Sequence, residues 1–313
     1  MSSLDSSLYK LDQETHESFF ELIKSIFLED AESQSKPEAY ITGGQPGSGK
    51  GKLASDGIRY FENRGGSVVI DVDQLRSYHP EYNQLVQADD KTAAAYTHED
   101  ASSWGKELFN EAIATSKNIV LDQVSSDFEK LTSKINLLRE KGYKLVQWHV
   151  MAVHPIISRQ RVFKRYEHLK STQGYGRFVP CDVHDVYKFL PFCVGKIETD
   201  NSVDQMVIYD YNFGLLYQSP DANNHIGFNG ECIVSNEHSK ILTAEMLQDH
   251  DKEWQKIITQ MEARNATILE IEEVKRLQEL DKEDYRHIKI STQNFKSELF
   301  QEVILSESSN EKR

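Results

Sequence analysis

The sequence predicts an α/β protein, a parallel sheet flanked by helices, with a helical extension towards the C-terminus. Three observations carry this. At 39–61 a short apolar strand, a glycine-rich loop and an amphipathic helix follow one another. At 67–71 and 118–122 two more apolar runs each end in an aspartate, and helical patterns separate them. Strand–helix alternation of this kind belongs to a parallel sheet covered on both faces. Beyond Leu242 the β-type runs stop and helical spacing takes over.

A length of 313 residues, 38% of them hydrophobic, supports one large domain or a domain with an appendage. The expected division is an N-terminal helix and linker at 1–38, a nucleotide-binding domain at 39–218, and an irregular segment leading into the extension at 219–313. The net charge of −14 argues against a binder of long nucleic acid, but a local basic patch can still hold a small anionic substrate. Cys181, Cys193 and Cys232 are odd in number and lack C-x-x-C spacing, so they read as reduced thiols of a cytoplasmic protein. No apolar run approaches the roughly 18 residues of a spanning helix. Met1–Lys10 lacks the basic-then-apolar pattern of a secretion leader.

In chain order, Phe19, Phe20, Leu22, Ile23, Ile26 and Phe27 form one face of a helix at 14–29, expected to pack on the nucleotide domain, with partner docking as the alternative. Residues 30–38 read as a linker. Ala39-Tyr40-Ile41-Thr42 is a strand, and Gly44-Gln45-Pro46-Gly47-Ser48-Gly49-Lys50 after it is a G-x-x-x-x-G-K phosphate-binding loop. Its glycines let backbone N–H groups crowd round phosphate oxygens, the following helix adds its positive end, and Lys50 supplies a point charge. The alternative is a glycine-rich turn with a chance lysine, disfavoured because the flanking strand and helix fit the phosphate-binding context. The hydroxyl residue that usually follows the lysine and holds Mg²⁺ is here Gly51. A metal therefore needs another ligand: Ser48, a water, or a carboxylate from another strand.

Ser67–Asp71 is a buried strand, and Asp71-Val72-Asp73 places two carboxylates at its C-terminal end, where open α/β sheets bind ligands. Val72 between them points the two side chains apart, so one can serve the metal and the other the substrate. The polar stretch to Asp100 reads as an excursion over the site. Helices are expected at 101–116 and 128–140, strands at 118–122 and 144–152. A basic helix at 155–170 carries Arg159, Arg161, Lys164, Arg165 and Lys170, most of them expected on a solvated face. A glycine-hinged loop with Arg177 follows, and an arginine closing over phosphates would neutralise charge on the transferred group. His184-Asp185 suggests metal or base chemistry, with a hydrogen-bonded structural pair as the favoured alternative. Val203–Asp210 and Leu215–Gln218 read as strand, turn and strand at the sheet edge, 219–239 as irregular, and 242–280 as helical.

These motifs in this order resemble the zeta toxin family of P-loop kinases over about 39–217. The residues that carry the likeness are Gly43–Lys50, Val69–Asp73, Tyr78-His79-Pro80, Asn118–Asp122, Arg165-Tyr166-Glu167, Gly176–Pro180 and His184-Asp185. The resemblance implies ATP and Mg²⁺ as cofactors and phosphorylation of the 3′ hydroxyl of UDP-N-acetylglucosamine. By it, Gly44 to Gly51 would cradle ATP, with Lys50 on its phosphates. Asp73 would be the general base on the substrate hydroxyl. Arg165 and Arg177 would grip the transferring phosphate, and Asp122, Ser125 and Glu107 would contact the substrate. Asp71, with Ser48, remains the metal candidate. The family also implies a small helical antitoxin as partner, to which the helix at 14–29 could contribute. Gly51, Asp122-Gln123-Val124 in place of Glu-Gly-Thr, and Lys106 or Glu107 at the substrate-side glutamate depart from the pattern. They leave open a kinase of another nucleotide-type acceptor, such as NAD or a nucleic-acid end. They also leave open a nucleotide-binding interaction protein that no longer catalyses.

Overall fold

A computed structural model describes residues 6–220 and 229–310, the last part (292–310) as backbone only. Asp12 starts α1 (Gln13–Glu29) by accepting a hydrogen bond from the Thr15 amide, the usual role of an N-cap aspartate. Then come β1 (Glu38–Gly43), α2 (Lys50–Phe61), β2 (Val68–Asp71) and the short α3 (Val72–Leu75), α4 (Tyr82–Ala88) and α5 (Ala93–Tyr96). Next are α6 (His98–Ala114), β3 (Ile119–Asp122), α7 (Phe128–Glu140), β4 (Leu145–Met151) and α8 (Pro155–Gln173). The chain goes on with α9 (Cys181–His184), α10 (Leu190–Thr199), β5 (Gln205–Tyr209), β6 (Leu215–Ser219), α11 (Gly230–His238), α12 (Ala244–Ala263) and α13 (Ile268–Asn310).

The six strands form one sheet in the order β2-β3-β1-β4-β5-β6, all parallel except β6. β5 and β6 make the expected edge hairpin. The main core lies on one face, where Trp104 and Leu108 of α6, Leu131 and Ile135 of α7, and Cys193 and Val194 of α10 meet Ile41, Ile70, Leu121 and Trp148. Phe20 and Ile23 of α1 belong to this core, and Trp104 donates its ring N–H to the His16 carbonyl at 3.2 Å. The N-terminal helix is thus an integral part of the domain. On the other face α2 packs Ala54 and Phe61 on Tyr40 and Val120.

One expectation is corrected. Residues 230–238, taken as irregular, form α11: Asn229 caps it by accepting from the Cys232 amide at 2.9 Å, and Val234 joins the main core. Residues 221–228 of the same expected stretch lie outside the described residues. The helical stretch expected over 242–280 is present, as two helices separated at 264–267, where Asn265 takes a left-handed conformation (φ 59°). α12 and α13 fold back on α8 and bury Trp254, Ile257, Met261 and Leu277 against Phe163.

Candidate functional site

The site lies at the C-terminal ends of β1, β2 and β3. The glycine loop leaves β1 and starts α2 at Lys50. Gly47 takes φ +78°, and a Cβ there would stand 2.0 Å from the Ser158 carbonyl oxygen, so only glycine lets the loop lie against the start of α8. Gln45 is buried beneath the loop and donates to the Val153 carbonyl at 2.7 Å and to Ser158 Oγ at 3.1 Å. Ser158 in turn lies 2.8 Å from His184 Nε2. Gln45 and His184 therefore hold the loop from below, while Asp185 pairs separately with Lys188.

Beside the loop are three carboxylates. Asp71 and Asp122 face each other across β2 and β3. Asp71 caps α3 by accepting from the Asp73 amide at 2.8 Å. Burial, and then the charges of Asp73 and Asp122, push the Asp71 carboxyl above its ordinary value. Asp122 accepts from Thr42 Oγ at 2.8 Å. Asp73 is ion-paired with Arg177, and Arg76 Nε lies 3.3 Å from its other oxygen. Burial pushes Asp73 up, but Arg177, Arg76 and Lys50 together outweigh that and hold it below the usual carboxylate range. Arg165 joins the same charge cluster: the walls of the cleft and then Arg177 lower its pKa, while Asp73, Asp71 and Asp122 raise it. A guanidinium stays protonated throughout.

Several expected residues thus come together: Lys50, Asp71, Asp73, Asp122, Arg165 and Arg177. Others do not. Ser48 is fully buried under the loop and its hydroxyl meets no partner, so it offers no surface to a metal ion. Ser125 is buried and donates to the Thr42 carbonyl at 2.7 Å, so its hydroxyl is spent on the β1–β3 seam. Glu107 turns away from the cleft, accepting from Ser103 at 2.7 Å and lying 3.0 Å from His16 Nε2. Its neighbour Lys106 instead lines a cavity of about 720 Å³ between α6 and α7. Two adjacent helical residues point about 100° apart, so Lys106 and Glu107 meet different surroundings.

That cavity adjoins the carboxylates, since Val72 and Asp122 belong to its wall. Phe109, Leu121 and Leu137 give it an apolar lining, and Lys106, Lys130 and Lys134 give it positive charge. Lys134 donates to Gln123 Oε1 at 2.6 Å, and burial followed by repulsion from Lys130 lowers its pKa. Sequence reading missed this cavity and Arg76. Arg76 is 9% exposed and holds Asp73, the Ala94 carbonyl and His98 together. Its spacing of three from Asp73 on one helical turn was the available signal.

The basic helix is also corrected. Arg159 is buried, 2.7 Å from Asp281 and 2.5 Å from Asp284 of α13. Lys170 pairs with Asp90 at 3.1 Å, whereas Lys164 keeps the expected exposure (58%) while pairing with Glu253, so Arg159 and Lys170 are the residues that depart from the expected solvated face.

Among the described residues no three His, Cys, Asp or Glu side chains form a metal cage. Mg²⁺ in nucleotide sites is held by one or two carboxylates and the phosphates, and Asp71 with Asp122 fits that pattern. Gly51 is exposed, with open space around its Cα. No described helix is long and apolar enough to cross a membrane.

Comparison with known proteins places these features. The zeta toxin family model matches residues 24–221. Toxin PezT of Streptococcus pneumoniae serotype 4 is 28% identical over 222 residues, 70% of this chain and 86% of that protein. Toxin zeta of Streptococcus pyogenes is 27% identical over 185 residues, 58% of this chain and 63% of that protein. A solved structure of the PezAT chromosomal toxin–antitoxin system of Streptococcus pneumoniae superposes with a TM-score of 0.66 at 22% identity. The match covers 80% of this chain and 98% of that one.

Proposed function

The chain belongs to the zeta toxin family, and on that premise we propose that it is an ATP-dependent phosphotransferase acting on a hydroxyl of a nucleotide-sugar such as UDP-N-acetylglucosamine. The observation that carries this reading is the position of Asp73. It is ion-paired with Arg177 and Arg76, feels the charge of Lys50 on the phosphate loop, is held below the usual carboxylate range, and follows Val72, which lines the cavity. A general base must be deprotonated before the reaction starts, and this setting keeps it so.

In the proposed reaction ATP lies on the loop with Lys50 on its phosphates, and the acceptor occupies the cavity. The apolar wall suits a base or sugar ring, and Lys106, Lys130 and Lys134 suit a diphosphate. Asp73 takes the proton of the acceptor hydroxyl. The freed oxygen bonds to the γ-phosphorus as the bridging P–O bond breaks and ADP leaves. Arg165 and Arg177 neutralise charge on the transferred group, which is most of what a protein contributes to phosphoryl transfer. Asp71 and Asp122 would hold Mg²⁺, which when bound would supply charge neutralisation on the phosphates.

A small helical antitoxin and a cytoplasmic setting complete the reading. The first rests on the likeness to a toxin of a toxin–antitoxin system. The test is a mass-spectrometric transfer screen with ATP, Mg²⁺ and UDP-N-acetylglucosamine, other UDP-sugars, NAD and a short oligonucleotide. An added phosphate on one acceptor, lost in Asp73→Ala, supports the proposal. ATP binding with transfer to none of them refutes it.

A further inference from the structure

Arg177 lies on a short segment between α8 and α9, and an arginine that grips phosphate must be held in place. The segment's anchor is Asp90, in the turn between α4 and α5, 7% exposed. Its Oδ2 accepts from the Gly176 amide at 2.8 Å. Its Oδ1 accepts from Tyr166 OH at 2.8 Å and Lys170 Nζ at 3.1 Å. Gly176 itself allows no side chain, because a Cβ would stand 2.5 Å from the Tyr166 carbonyl oxygen. On the other side of Arg177, Phe178 packs edge-on against Phe163 and Tyr166 and joins the core that α12 and α13 make with α8. Lys91, next to Asp90, pairs with Glu273 of α13 at 2.6 Å.

From this geometry we infer that Asp90 is a positioning residue for Arg177, and that α12 and α13 brace the same segment through Phe178. The two residues flanking Arg177 are fixed from opposite sides, Gly176 by a buried carboxylate and Phe178 by an apolar core. The guanidinium between them is left 35% exposed at the site. A buried carboxylate satisfied by three donors is costly to remove, and here one of the three is the backbone of the arginine's own neighbour. The C-terminal helices thereby acquire a role in the reaction without touching a substrate.

The inference rests on the proposed role of Arg177, and a double-mutant cycle separates the two. Arg177→Ala should lower phosphate transfer by about 10³-fold, as for other arginines that stabilise phosphoryl transfer. Asp90→Ala should lower kcat by about 10²-fold, the cost of displacing a positioned group by about 1 Å, with the KM for ATP changed less than threefold. The double variant should be no slower than Arg177→Ala alone, because a residue acting through Arg177 has nothing left to position. A binding readout runs in parallel: the preference for AMP-PNP over ADP should fall in Asp90→Ala, though less than in Arg177→Ala. If Asp90→Ala does not fold, Tyr166→Phe removes one donor, keeps the ring, and should lower kcat about three- to tenfold. Additive losses in the double variant, or an unchanged AMP-PNP preference in Asp90→Ala, overturn the inference. An active Arg177→Ala overturns the reading beneath it.

Discussion

Gly51 gives the sharpest test of the proposed Mg²⁺ site. It is the second residue of α2, exposed, with no atom within 4 Å of an added Cβ, so serine enters without strain. The only hydroxyl in the loop, on Ser48, is buried and cannot substitute. Gly51→Ser should therefore do two separable things. Helix propensity should stabilise the fold by about 0.5 kcal/mol, raising Tm by about 1 °C in a chain of this size. The new hydroxyl should also supply the missing metal ligand and tighten ATP about tenfold with Mg²⁺ present, or about 1.4 kcal/mol. Gly51→Ala is the control, with the helix gain and no ligand. Titration calorimetry with ATP, in Mg²⁺ and in EDTA, reads both. If serine and alanine change ATP affinity equally, or serine acts equally in EDTA, position 51 does not face the metal and the assignment to Asp71 and Asp122 loses its reason.

Other expectations follow from particular contacts. Asp73→Asn should lower transfer by about 10²- to 10⁴-fold, the usual worth of a general base, with ATP affinity by calorimetry near the parent value. Asp281 is fully buried and partners Arg159, His250 and Trp254. Asp281→Ala should cost about 3–5 kcal/mol in a urea melt, because it takes the buried partner from Arg159, His250 and Trp254 at once and leaves Arg159 only the half-exposed Asp284; a loss under 1 kcal/mol would contradict that network. His149 and His184 are buried neutral with pKa values of about 4, desolvation being the leading cause. Their folded values lie below the unfolded one of about 6.5, so the unfolded chain binds more protons between these limits. Their contribution is whole above about pH 6.5 and drains away as pH falls towards 4, by up to about 3 kcal/mol each. His149→Gln should flatten that part of a Tm-against-pH curve, and an unchanged slope would count against it.

Much of the fold was legible because its signals are local. The strands ending in Asp71 and Asp122 announce themselves as apolar runs, and the phosphate loop as glycines that only one backbone shape uses. Side-chain direction was not legible to the same degree. Glu107 and Lys106 differ by one step of helix, and only packing shows that His16 claims the first and the cavity the second. Arg76 and Asp90 sit in a polar stretch without a motif, and their meaning comes from partners 3 to 86 residues away. Ser48 is buried, which motif spacing does not reveal.

The basic helix α8 shows why such residues escape a linear reading. Its polar side chains are not one face in water; they address different partners in turn. Ser158 receives Gln45 from under the phosphate loop, and Arg159 enters the core of the C-terminal helices. Arg165 joins the carboxylate cluster, and Tyr166 and Lys170 hold Asp90. A helix that contacts the loop, the C-terminal helices and the arginine segment needs polar groups all round, so it lacks the apolar stripe that marks an ordinary surface helix. Its charge, which in isolation suggests solvation, is matched by Asp90, Asp281, Asp284 and Glu253 from elsewhere in the chain. Any shift of α8 would move the underside of the phosphate loop and the anchor of Arg177 together, so the two halves of the proposed phosphate grip are mechanically one piece.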